Sequence, residues 1–361
     1  MRVVISAGGT GGHIYPALAI INKIKEKEPN SEFLYIGTHN RMEKDIVPKE
    51  GIPFKSTEVY GLNRRQLWKN FKVLYCLYKA RKECSKWIKD FKPDIVIGVG
   101  GYVTVPVLSA AHKLKIKTFL HEQNSVPGKA NLSLASHTDL IGVSFKSSMD
   151  SFPANKTIFT GNPCSEDAVK KPPMEKVELG LDPNKKLILI VMGSLGASTV
   201  NDVVKETLPK IVNKPYQVLY VTGKNDYDEI SKMEFPDNVK VVPYIDGMTR
   251  IMKRTDLMVT RAGASTLSEI IALQIPSILI PSPFVPNNHQ FKNAEDLVKT
   301  NAASLIEEKN LNSETLIKEI DNILTSTVKQ NEMKENLSKL GVPDSATIIY
   351  DNIQKLIERK R

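Results

Sequence analysis

Two unbroken apolar runs, each followed at once by a glycine-rich turn, constrain what this chain of 361 residues can fold into. Residues 3–7 lead into the turn 8–13 (GGTGGH), and residues 187–191 lead into the turn 193–197 (GSLGA). Strands that are apolar along their whole length are typical of a parallel sheet covered by helices on both faces. The sequence therefore predicts a parallel sheet in each half of the chain.

Helical and extended patterns alternate along both halves. A helical pattern covers residues 16–27. The further extended patterns cover residues 33–36, 94–99, 118–121, 218–222, 239–242, 257–259 and 277–280. This alternation predicts an α/β fold with two doubly wound, Rossmann-like parallel-sheet domains. Ligands of such sheets bind at the carboxyl ends of the strands, so we expect the two domains to face a cleft.

The sequence Gly161-Asn162-Pro163 and the charged, proline-rich stretch 170–173 indicate where one domain ends. We expect an N-terminal domain of residues 1–162 and a C-terminal domain of residues 163–361. A last helical pattern, 345–361, follows a break at 341–343. This helix either stays with the C-terminal domain or packs back on the N-terminal domain.

Several classes of protein are disfavoured by the composition. The three Cys show no CxxC spacing, so we expect neither a disulfide framework nor a structural zinc site. The uncharged run 95–111 contains three glycines and Pro106, and it is shorter than the about 20 apolar residues of a membrane-spanning helix. We expect a protein that is cytosolic or lies on a membrane surface. Asp226 and Asp228 have the spacing of a metal-binding pair, but their polar loop predicts a solvated turn and no required metal.

The turn 8–13 has four glycines in five residues, which lets backbone N–H groups at a helix N-terminus approach a ligand closely. A diphosphate is the natural ligand, and a tight turn without a ligand is the alternative. The turn does not spell GxGxxG, no acid ends the strand pattern at Thr38 to bind a ribose, and no P-loop lysine follows. His13 either acts as a general base or donates a hydrogen bond to the backbone at the helix start.

Polar residues also follow later strands. The strand pattern 118–121 runs into the polar segment 122–125 (EQNS), which predicts part of a site. In the second half Thr266 and Glu269 have capping-box spacing, so Glu269 either caps a helix or accepts hydrogen bonds from ribose hydroxyls. The amide and imidazole groups of residues 287–290 suit hydrogen bonding to sugar hydroxyls.

Most of the net charge of +10 comes from residues 61–92, where ten basic residues stand against two acidic ones, a local net charge of +8. Basic residues recur every seven positions and form a helical stripe that drifts about 20° per heptad: Arg65, Lys72, Lys79 and Lys86. We expect the apolar residues on the opposite side: Leu67, Phe71, Leu74 and Tyr78. The segment 64–92 is either an amphipathic helix with its apolar side on the core or a surface that adsorbs to an anionic membrane. A nucleic-acid-binding patch ranks last, since no nucleic-acid-binding motif accompanies it.

Six motifs occur in the same order in the MurG family of bacterial N-acetylglucosaminyltransferases, which this chain resembles over nearly its whole length. They are GGTGGH (8–13), GVGGY (98–102), HEQN (121–124), GNP (161–163), GSLGA (193–197) and RAGA (261–264). Each glycine turn alone is a weak signal, whereas the combination is specific.

The resemblance implies a GT-B fold and an inverting transfer of GlcNAc from UDP-GlcNAc. The implied acceptor is the MurNAc 4-hydroxyl of undecaprenyl-diphospho-MurNAc-pentapeptide (lipid I), and the product is lipid II of peptidoglycan synthesis, on which cell shape and division depend. The resemblance implies no cofactor and no metal. It favours the membrane-docking interpretation of residues 64–92, at the cytoplasmic side of the cell membrane, and no nucleic-acid partner.

Matching to the family assigns roles to single residues. His13 is the implied base. The residues implied in substrate binding are Thr10, Gly11, Gly12 and Asn124 in the first domain, and Ser194 (diphosphate), Ile245 (uracil), Ala264, Ser265 and Thr266 (diphosphate and ribose), Glu269 (ribose) and Gln290 (GlcNAc) in the second. The chain departs from the family pattern at two positions: Met192 stands where Gly is common, and Ser165 stands where many members carry a nucleotide-contacting Arg.

Other functions fit parts of the same pattern. The nearest alternative keeps the fold and transfers the sugar to diacylglycerol. A nucleotide-sugar epimerase and a non-catalytic sensor of UDP-sugars are further alternatives. An NAD oxidoreductase is disfavoured by the missing ribose-binding acid.

Overall fold

The computed structural model describes residues 1–61, 70–193 and 197–359, which form two compact units. The first unit comprises Met1–Cys164 and Asp344–Arg361, and the second comprises Ser165–Pro343. The last helix therefore belongs to the first unit. Within the described ranges, no helix is long and apolar enough to cross a membrane.

The strands form two sheets that are parallel throughout. The strands are β1 (Arg2–Ser6), β2 (Glu32–Thr38), β3 (Phe54–Thr57), β4 (Ile95–Gly98), β5 (Lys117–Glu122), β6 (Leu140–Val143), β7 (Thr157–Phe159), β8 (Lys186–Val191), β9 (Tyr216–Val221), β10 (Val239–Val242), β11 (Leu257–Thr260), β12 (Ser277–Leu279) and β13 (Ser304–Leu305). The first sheet has the order β3-β2-β1-β4-β5-β6-β7 and the second β10-β9-β8-β11-β12-β13. In both, the strand order reverses beside the strand that carries the glycine turn, β1 or β8.

Helices connect the strands. They are α1 (Gly11–Lys27), α2 (Glu43–Lys49), α3 (Asn70–Phe91), α4 (Thr104–Lys113), α5 (Lys129–Leu134), α6 (Cys164–Lys170), α7 (Ser198–Thr207), α8 (Tyr227–Ile230), α9 (Met248–Met252), α10 (Ala264–Leu273), α11 (His289–Val298), α12 (Ser313–Leu324), α13 (Thr327–Leu340) and α14 (Ser345–Glu358). Short 3-10 helices cover Ala135–His137, Lys146–Ser151, Ala154–Lys156, Lys176–Leu179, Leu208–Ile211, Pro286–Asn288 and Glu308–Asn310.

Helices cover both faces of the first sheet, and β1 shows why its sequence is apolar throughout. Val3 and Ile5 are buried against Ile14 of α1 and Ile349 of α14. Val4 lies between them and points to the opposite face, where it packs in the cluster formed with α3 and α4. Each fully buried aliphatic side chain contributes about 1.5–3 kcal/mol of transfer free energy. A polar residue at any of these positions would therefore be costly.

The second sheet is covered in the same way. Ile188 and Ile190 of β8 pack with Val200 and Val204 of α7 and with Ile320 of α12. The prediction of two Rossmann-like domains with doubly covered parallel sheets is confirmed.

Helix α1 begins earlier than the sequence pattern indicates. It starts at Gly11, five residues before Pro16, which lies inside the helix. Pro16 has no N–H, so the bond to the carbonyl of Gly12 is lost while the helix continues. As a result Gly11, Gly12 and His13 form its first turn.

The basic helix α3 differs from the expectation in two ways. Its buried residues are the small or aliphatic ones at four-residue spacing, Cys76, Ala80, Cys84 and Ile88. Phe71 and Tyr75 are 79% and 68% exposed, and Leu74 and Tyr78 are exposed as well. The interpretation that these apolar residues pack on the core is wrong.

The expected opposition of lysines and aromatics on α3 is also wrong. Lys79 follows Tyr78 by one residue and Tyr75 by four, so it lies beside the aromatic stripe. The Lys82 ammonium lies 4.7 Å from the centre of the Tyr78 ring. Arg65, Leu67 and the other residues before 70 in this segment lie outside the described ranges. The described part of α3 therefore presents one mixed surface of aromatic rings and lysines.

Candidate active site

The glycine turn between β1 and α1 is held by backbone contacts on two sides. Gly8 N donates to Gly100 O in the turn after β4 (3.2 Å). His13 Nδ1 donates to Gly8 O (3.0 Å). The backbone hydrogen bond that was the alternative function of His13 is therefore present. It uses Nδ1, and it does not exclude a role of the ring as base.

Close packing explains several glycines here. A Cβ on Gly8 would lie 2.5 Å from Glu43 Oε1, and one on Gly100 would lie 2.7 Å from His13 Cδ2. Gly101 has φ +88°, which favours glycine, and its Cβ would lie 2.4 Å from Gly8 O. A side chain at any of these positions would displace a neighbour: Glu43 at Gly8, His13 at Gly100 and the backbone of Gly8 at Gly101.

A buried carboxylate that the sequence analysis missed lies behind the turn. Glu43, the first residue of α2, is fully buried. Its Oε2 accepts from Gly9 N (3.1 Å), and its Oε1 accepts from Thr38 N (3.0 Å) and Thr38 Oγ1 (2.6 Å). An acid in the first turn of a helix is ordinarily explained by the helix dipole, so the sequence offered no signal of burial. The Glu43 carboxylate therefore lies at the end of β2, but its oxygens accept hydrogen bonds from Gly9 and Thr38. For this reason Glu43 is not a ribose-binding acid of the dinucleotide type.

The polar segment after β5 is a second buried network of the first unit. Glu122 Oε1 accepts from Asn124 N (2.9 Å) and Asn124 Nδ2 (3.2 Å). Glu122 Oε2 accepts from Gly128 N (3.0 Å) and Asn131 Nδ2 (2.8 Å). Four bonds to one carboxylate fix the loop that carries Asn124.

His121, beside this network, is fully buried and neutral at ordinary pH. Burial lowers its pKa to about 4, while the hydrogen bond to Gly161 acts in the opposite direction. Its Nε2 donates to Gly161 O (3.0 Å), and its Nδ1 accepts from Gln123 Nε2 (3.0 Å). This histidine ties the end of β5 to the GNP motif, and it is a structural residue.

In the second unit the predicted residues gather at the start of α10. Gly263 is the N-cap, and no side chain caps the helix. Thr266 and Glu269 lie inside α10, so the capping-box explanation of Glu269 is wrong. Glu269 is half-buried. Burial raises its pKa to about 8; Lys171 opposes the shift and Asp167 adds to it.

The other predicted residues of this unit also follow strand ends. Ala264 is buried, Ser265 and Thr266 are half-buried in the first turn of α10, and Gln290 lies on α11 after β12. Since β11 and β12 are neighbours, α10 and the loop before α11 lie side by side.

Ile245 stands apart from this group. Ile245 is buried after β10, the strand at the far edge of the sheet, three strands from β11. Ser194 lies outside the described residues. Gln290 Oε1 accepts from Ser282 N (2.9 Å), which closes the loop 281–290.

A buried ion pair supports the motif RAGA at the end of β11. Arg261 Nη1 donates to Glu308 Oε2 (2.7 Å) and to Ile280 O (3.1 Å), and both charged side chains are largely buried. Thr199 Oγ1, in the first turn of α7, donates to Glu308 Oε1. Glu308 thus connects the ends of β11 and β12 to α7, and no motif in the sequence marks it.

Ser165 and Asp226 make hydrogen bonds that the sequence does not indicate. Ser165, which stands where the family has Arg, is buried, and its Oγ donates to Ser268 O of α10 (3.2 Å). Asp226 is half-buried, and Asn201 Nδ2 donates to its Oδ2. Asp228 is exposed, so the solvated-turn interpretation fits Asp228 only. Among the described residues, no three His, Cys, Asp or Glu side chains cluster as metal ligands do.

Comparison with known proteins agrees with this arrangement. Residues 3–142 match the glycosyltransferase family 28 N-terminal domain, and residues 187–348 match the glycosyltransferase family 28 C-terminal domain. Among solved structures, MurG of Acinetobacter baumannii superposes with a TM-score of 0.77 at 26% identity, covering 98% of this chain and 99% of that one. A putative UDP-N-acetylglucosamine 2-epimerase of Listeria monocytogenes, with a TM-score of 0.70 over 99% of this chain and 96% of that one, is 16% identical and shares the fold alone.

Curated relatives match along the whole chain. The UDP-N-acetylglucosamine–N-acetylmuramyl-(pentapeptide) pyrophosphoryl-undecaprenol N-acetylglucosamine transferase 1 of Bacillus cereus is 45% identical over 364 residues, which cover 99% of this chain and 100% of that protein. The transferase of the same description from Halalkalibacterium halodurans is 46% identical over 355 residues, 97% of this chain and 98% of its own. With its two Rossmann-like units, its motifs and this identity, the chain belongs to the MurG family of glycosyltransferase family 28.

Proposed function

We propose that this protein transfers GlcNAc from UDP-GlcNAc to the MurNAc 4-hydroxyl of undecaprenyl-diphospho-MurNAc-pentapeptide, converting lipid I to lipid II with inversion at the anomeric carbon. The observation that carries the proposal is the 45% identity to a transferase of this description over 99% of the chain and 100% of that protein. The identity spans both units, so it includes the part that binds the acceptor.

The second unit binds the nucleotide sugar in this proposal. The first turn of α10 presents its N–H groups at the positive end of the helix dipole, and Ala264, Ser265 and Thr266 lie there. Glu269 follows one turn later and accepts the ribose hydroxyls. Its raised pKa supports this role, because two hydroxyl donors would stabilise the ionised form that burial disfavours.

Ser194 contacts the diphosphate, Ile245 the uracil and Gln290 the GlcNAc by matching to the family. At position 165 this chain has Ser where many family members have a nucleotide-contacting Arg. The Ser165 hydroxyl donates to Ser268 O instead, so we expect no contact from this position to the nucleotide.

The first unit supplies the base and binds the acceptor in this proposal. Thr10, Gly11 and Gly12 lie at the N-terminal turn of α1, and Asn124 lies on the loop that Glu122 fixes. His13 Nε2 takes the proton of the acceptor hydroxyl. The bond from that oxygen to the anomeric carbon forms as the bond to UDP breaks, and UDP leaves with the electron pair. Backbone N–H groups and helix N-termini stabilise the developing charge on UDP, and no metal is required.

In this proposal the protein is a peripheral protein on the cytoplasmic side of the cell membrane, and the exposed face of α3 supports it. Phe71, Leu74, Tyr75 and Tyr78 form an exposed apolar stripe at helical spacing. Lysines beside this stripe pair with anionic headgroups while the rings enter the interface. The described part of the docking surface is α3; the rest of residues 64–92 belongs to the same proposal.

The central experiment measures UDP release from UDP-GlcNAc with a short-chain lipid I analogue and, separately, with diacylglycerol. We expect release with the lipid I analogue only. Release only with diacylglycerol would support the alternative acceptor, and donor binding without release would support a UDP-sugar sensor.

The base is tested by His13→Ala. A lost general base lowers kcat by about 10²- to 10⁴-fold while UDP-GlcNAc binding stays as it was. Unchanged turnover would refute the assignment of His13.

Membrane docking is tested by sedimentation with vesicles of phosphatidylglycerol or phosphatidylcholine. We expect binding to the anionic vesicles, weakened by salt and by Phe71→Ser with Tyr75→Ser. Val328→Ser is the matched control, since Val328 is a 78% exposed apolar residue of the second unit. Equal binding to both vesicle types, or unaltered binding of the aromatic variant, would refute the proposal.

A further inference from the structure

One peptide group of the first unit connects a buried carboxylate to the side chain of His13. The carbonyl of Gly8 and the N–H of Gly9 belong to the same peptide bond. Glu43 Oε2 accepts from that N–H (3.1 Å), and His13 Nδ1 donates to that carbonyl (3.0 Å). The chain of contacts therefore runs from carboxylate to peptide to imidazole.

We infer that Glu43 is a positioning residue for His13, acting through the peptide between Gly8 and Gly9. The carboxylate polarises this peptide, so Gly8 O becomes a stronger acceptor and holds the proton of the neutral imidazole on Nδ1. The lone pair of the ring then lies on Nε2, the nitrogen that takes a proton. The inference rests on the proposed function in that it gives His13 the role of base.

Polarisation through a peptide has a simple physical basis. A hydrogen bond to a charged acceptor is stronger than one between neutral groups, and bonds in a chain strengthen one another. Direct carboxylate partners of histidine fix the tautomer and raise the basicity of the ring in the same way. Here the peptide between Gly8 and Gly9 is interposed between the carboxylate and the ring.

The surroundings keep the carboxylate directed at this peptide. Glu43 is fully buried, and two bonds from Thr38 hold Oε1, so Oε2 faces Gly9. Among the described residues, the titratable groups at the turn include Glu43 on α2, His13 and Tyr15 on α1, and Tyr35 on β2. The Tyr35 hydroxyl donates to Ala7 O (3.0 Å). Burial raises the pKa of Tyr35 well above its ordinary value, and the charge of Glu43 adds to the shift, so Tyr35 stays neutral.

The first test reads His13 directly, without any turnover. In the ¹⁵N-labelled full-length protein, with the His13 signal identified by its loss in His13→Ala, we expect the Nδ1–H tautomer. In Glu43→Gln the pKa of His13 falls by about one unit, since a charge several ångströms away has been removed. An Nε2–H tautomer in the parent protein, or an unchanged pKa in a folded Glu43→Gln, would overturn the inference.

Two variants separate the charge from the packing. Thr38→Val removes one bond to Glu43 and keeps the carboxylate, so we expect lower stability with the pKa of His13 unchanged. Glu28→Gln is the matched control, a carboxylate of the same unit bound by the Tyr350 hydroxyl (2.9 Å) and far along the chain from the turn. We expect Glu28→Gln to leave the pKa of His13 unchanged as well. A drop in the pKa of His13 in either variant equal to that in Glu43→Gln would show a general packing effect and overturn the inference.

Kinetics supply the second test. We expect Glu43→Gln to lower kcat about 10- to 100-fold, as loss of an outer partner of a histidine does, and to move the acid limb of kcat/KM to lower pH. In the His13→Ala background the same change should lower kcat no further. An equal further loss would mean that Glu43 acts without His13.

Failure of the proposed function has a different signature. If His13→Ala retained full turnover, the role of His13 as base would fall, while the tautomer and the pKa would still decide whether Glu43 controls this ring.

Discussion

Replacing Glu269 with Gln changes the pH dependence of stability in a direction that its environment determines. Burial raises the pKa of Glu269 from 4.5 to about 8, with Lys171 opposing and Asp167 adding to the shift. Between these values the folded protein keeps a proton that the unfolded chain has released. Stability therefore falls as the pH rises through this window, and the slope vanishes below it and above it.

The magnitude follows from the two pKa values. At pH 7 a carboxyl group wholly removed from water would cost at most about 3.4 kcal/mol of folding free energy. Glu269 is half-buried, so solvent screening reduces the expected cost to about 1–2 kcal/mol. Gln has no proton to lose, so Glu269→Gln should be more stable than the parent by this amount near pH 7, and the difference should disappear towards pH 4.5.

Denaturant unfolding from about pH 5 to about pH 8.5 measures this difference. Glu295→Gln on α11 is the control with the opposite sign. The hydrogen bond from Lys292 lowers the pKa of Glu295, so its stabilisation is present above its ordinary pKa and is lost as the pH falls. That variant should be less stable at neutral pH. If Glu269→Gln and the parent gave parallel curves, the reasoning from burial would be refuted.

The same carboxyl group links nucleotide binding to pH. Ribose hydroxyls that donate to Glu269 favour its ionised form, so UDP binding should release a proton near neutral pH and tighten as the pH rises towards 8. Calorimetry in two buffers of different ionisation enthalpy counts that proton. A UDP affinity independent of pH in the parent, or an equal pH dependence in Glu269→Gln, would remove Glu269 from the ribose site.

Three further outcomes follow from single contacts. His121 should remain neutral in the folded protein at about pH 5, because burial lowers its pKa to about 4; an NMR titration with a midpoint near 6.5 would contradict this. Gly101→Ala should strongly destabilise the first unit, since the φ of Gly101 is +88° and its Cβ would lie 2.4 Å from a backbone oxygen. Gly12→Ala should unfold at the same or a higher temperature than the parent protein and lose turnover. Glu308→Ala should cost about 3–5 kcal/mol of unfolding free energy because it leaves Arg261 buried and unpaired; a loss below about 1 kcal/mol would show that the pair contributes little.

The sequence predicted most of the strands, and most of those it missed are short and only partly buried. The apolar runs of β1 and β8 were evident because both faces of those strands are buried. The missed strands β3, β6, β7 and β13 have four, four, three and two residues. The predicted strands β4, β11 and β12 are no longer, but they are buried at every residue and therefore appear as apolar runs. In contrast, β3, β7 and β13 are only partly buried and show neither an apolar run nor a period.

Helix α3 shows why a correct amphipathic pattern led to the wrong face. A large apolar stripe normally marks the core, and Phe71, Leu74 and Tyr78 form one. The core instead takes Cys76, Ala80 and Cys84, because α3 packs against α4 and small side chains allow two helices to approach closely. The sequence contained both stripes, and only the packing decides between them.

Some glycines of the turn 8–13 are required by the packing around them and others are not, and the sequence could not reveal which. Their number suggested a ligand, but Gly8 is required by Glu43, a residue 35 positions further along the chain. Gly12 has no such requirement: the nearest atom to its Cβ position is Thr10 Oγ1 at 3.7 Å, an ordinary contact, and Ala would be the better helix former there. The absence of a packing requirement at Gly12, in the first turn of α1, supports its proposed role in substrate binding. The case for substrate at this turn therefore depends on Gly12 rather than on the glycine count.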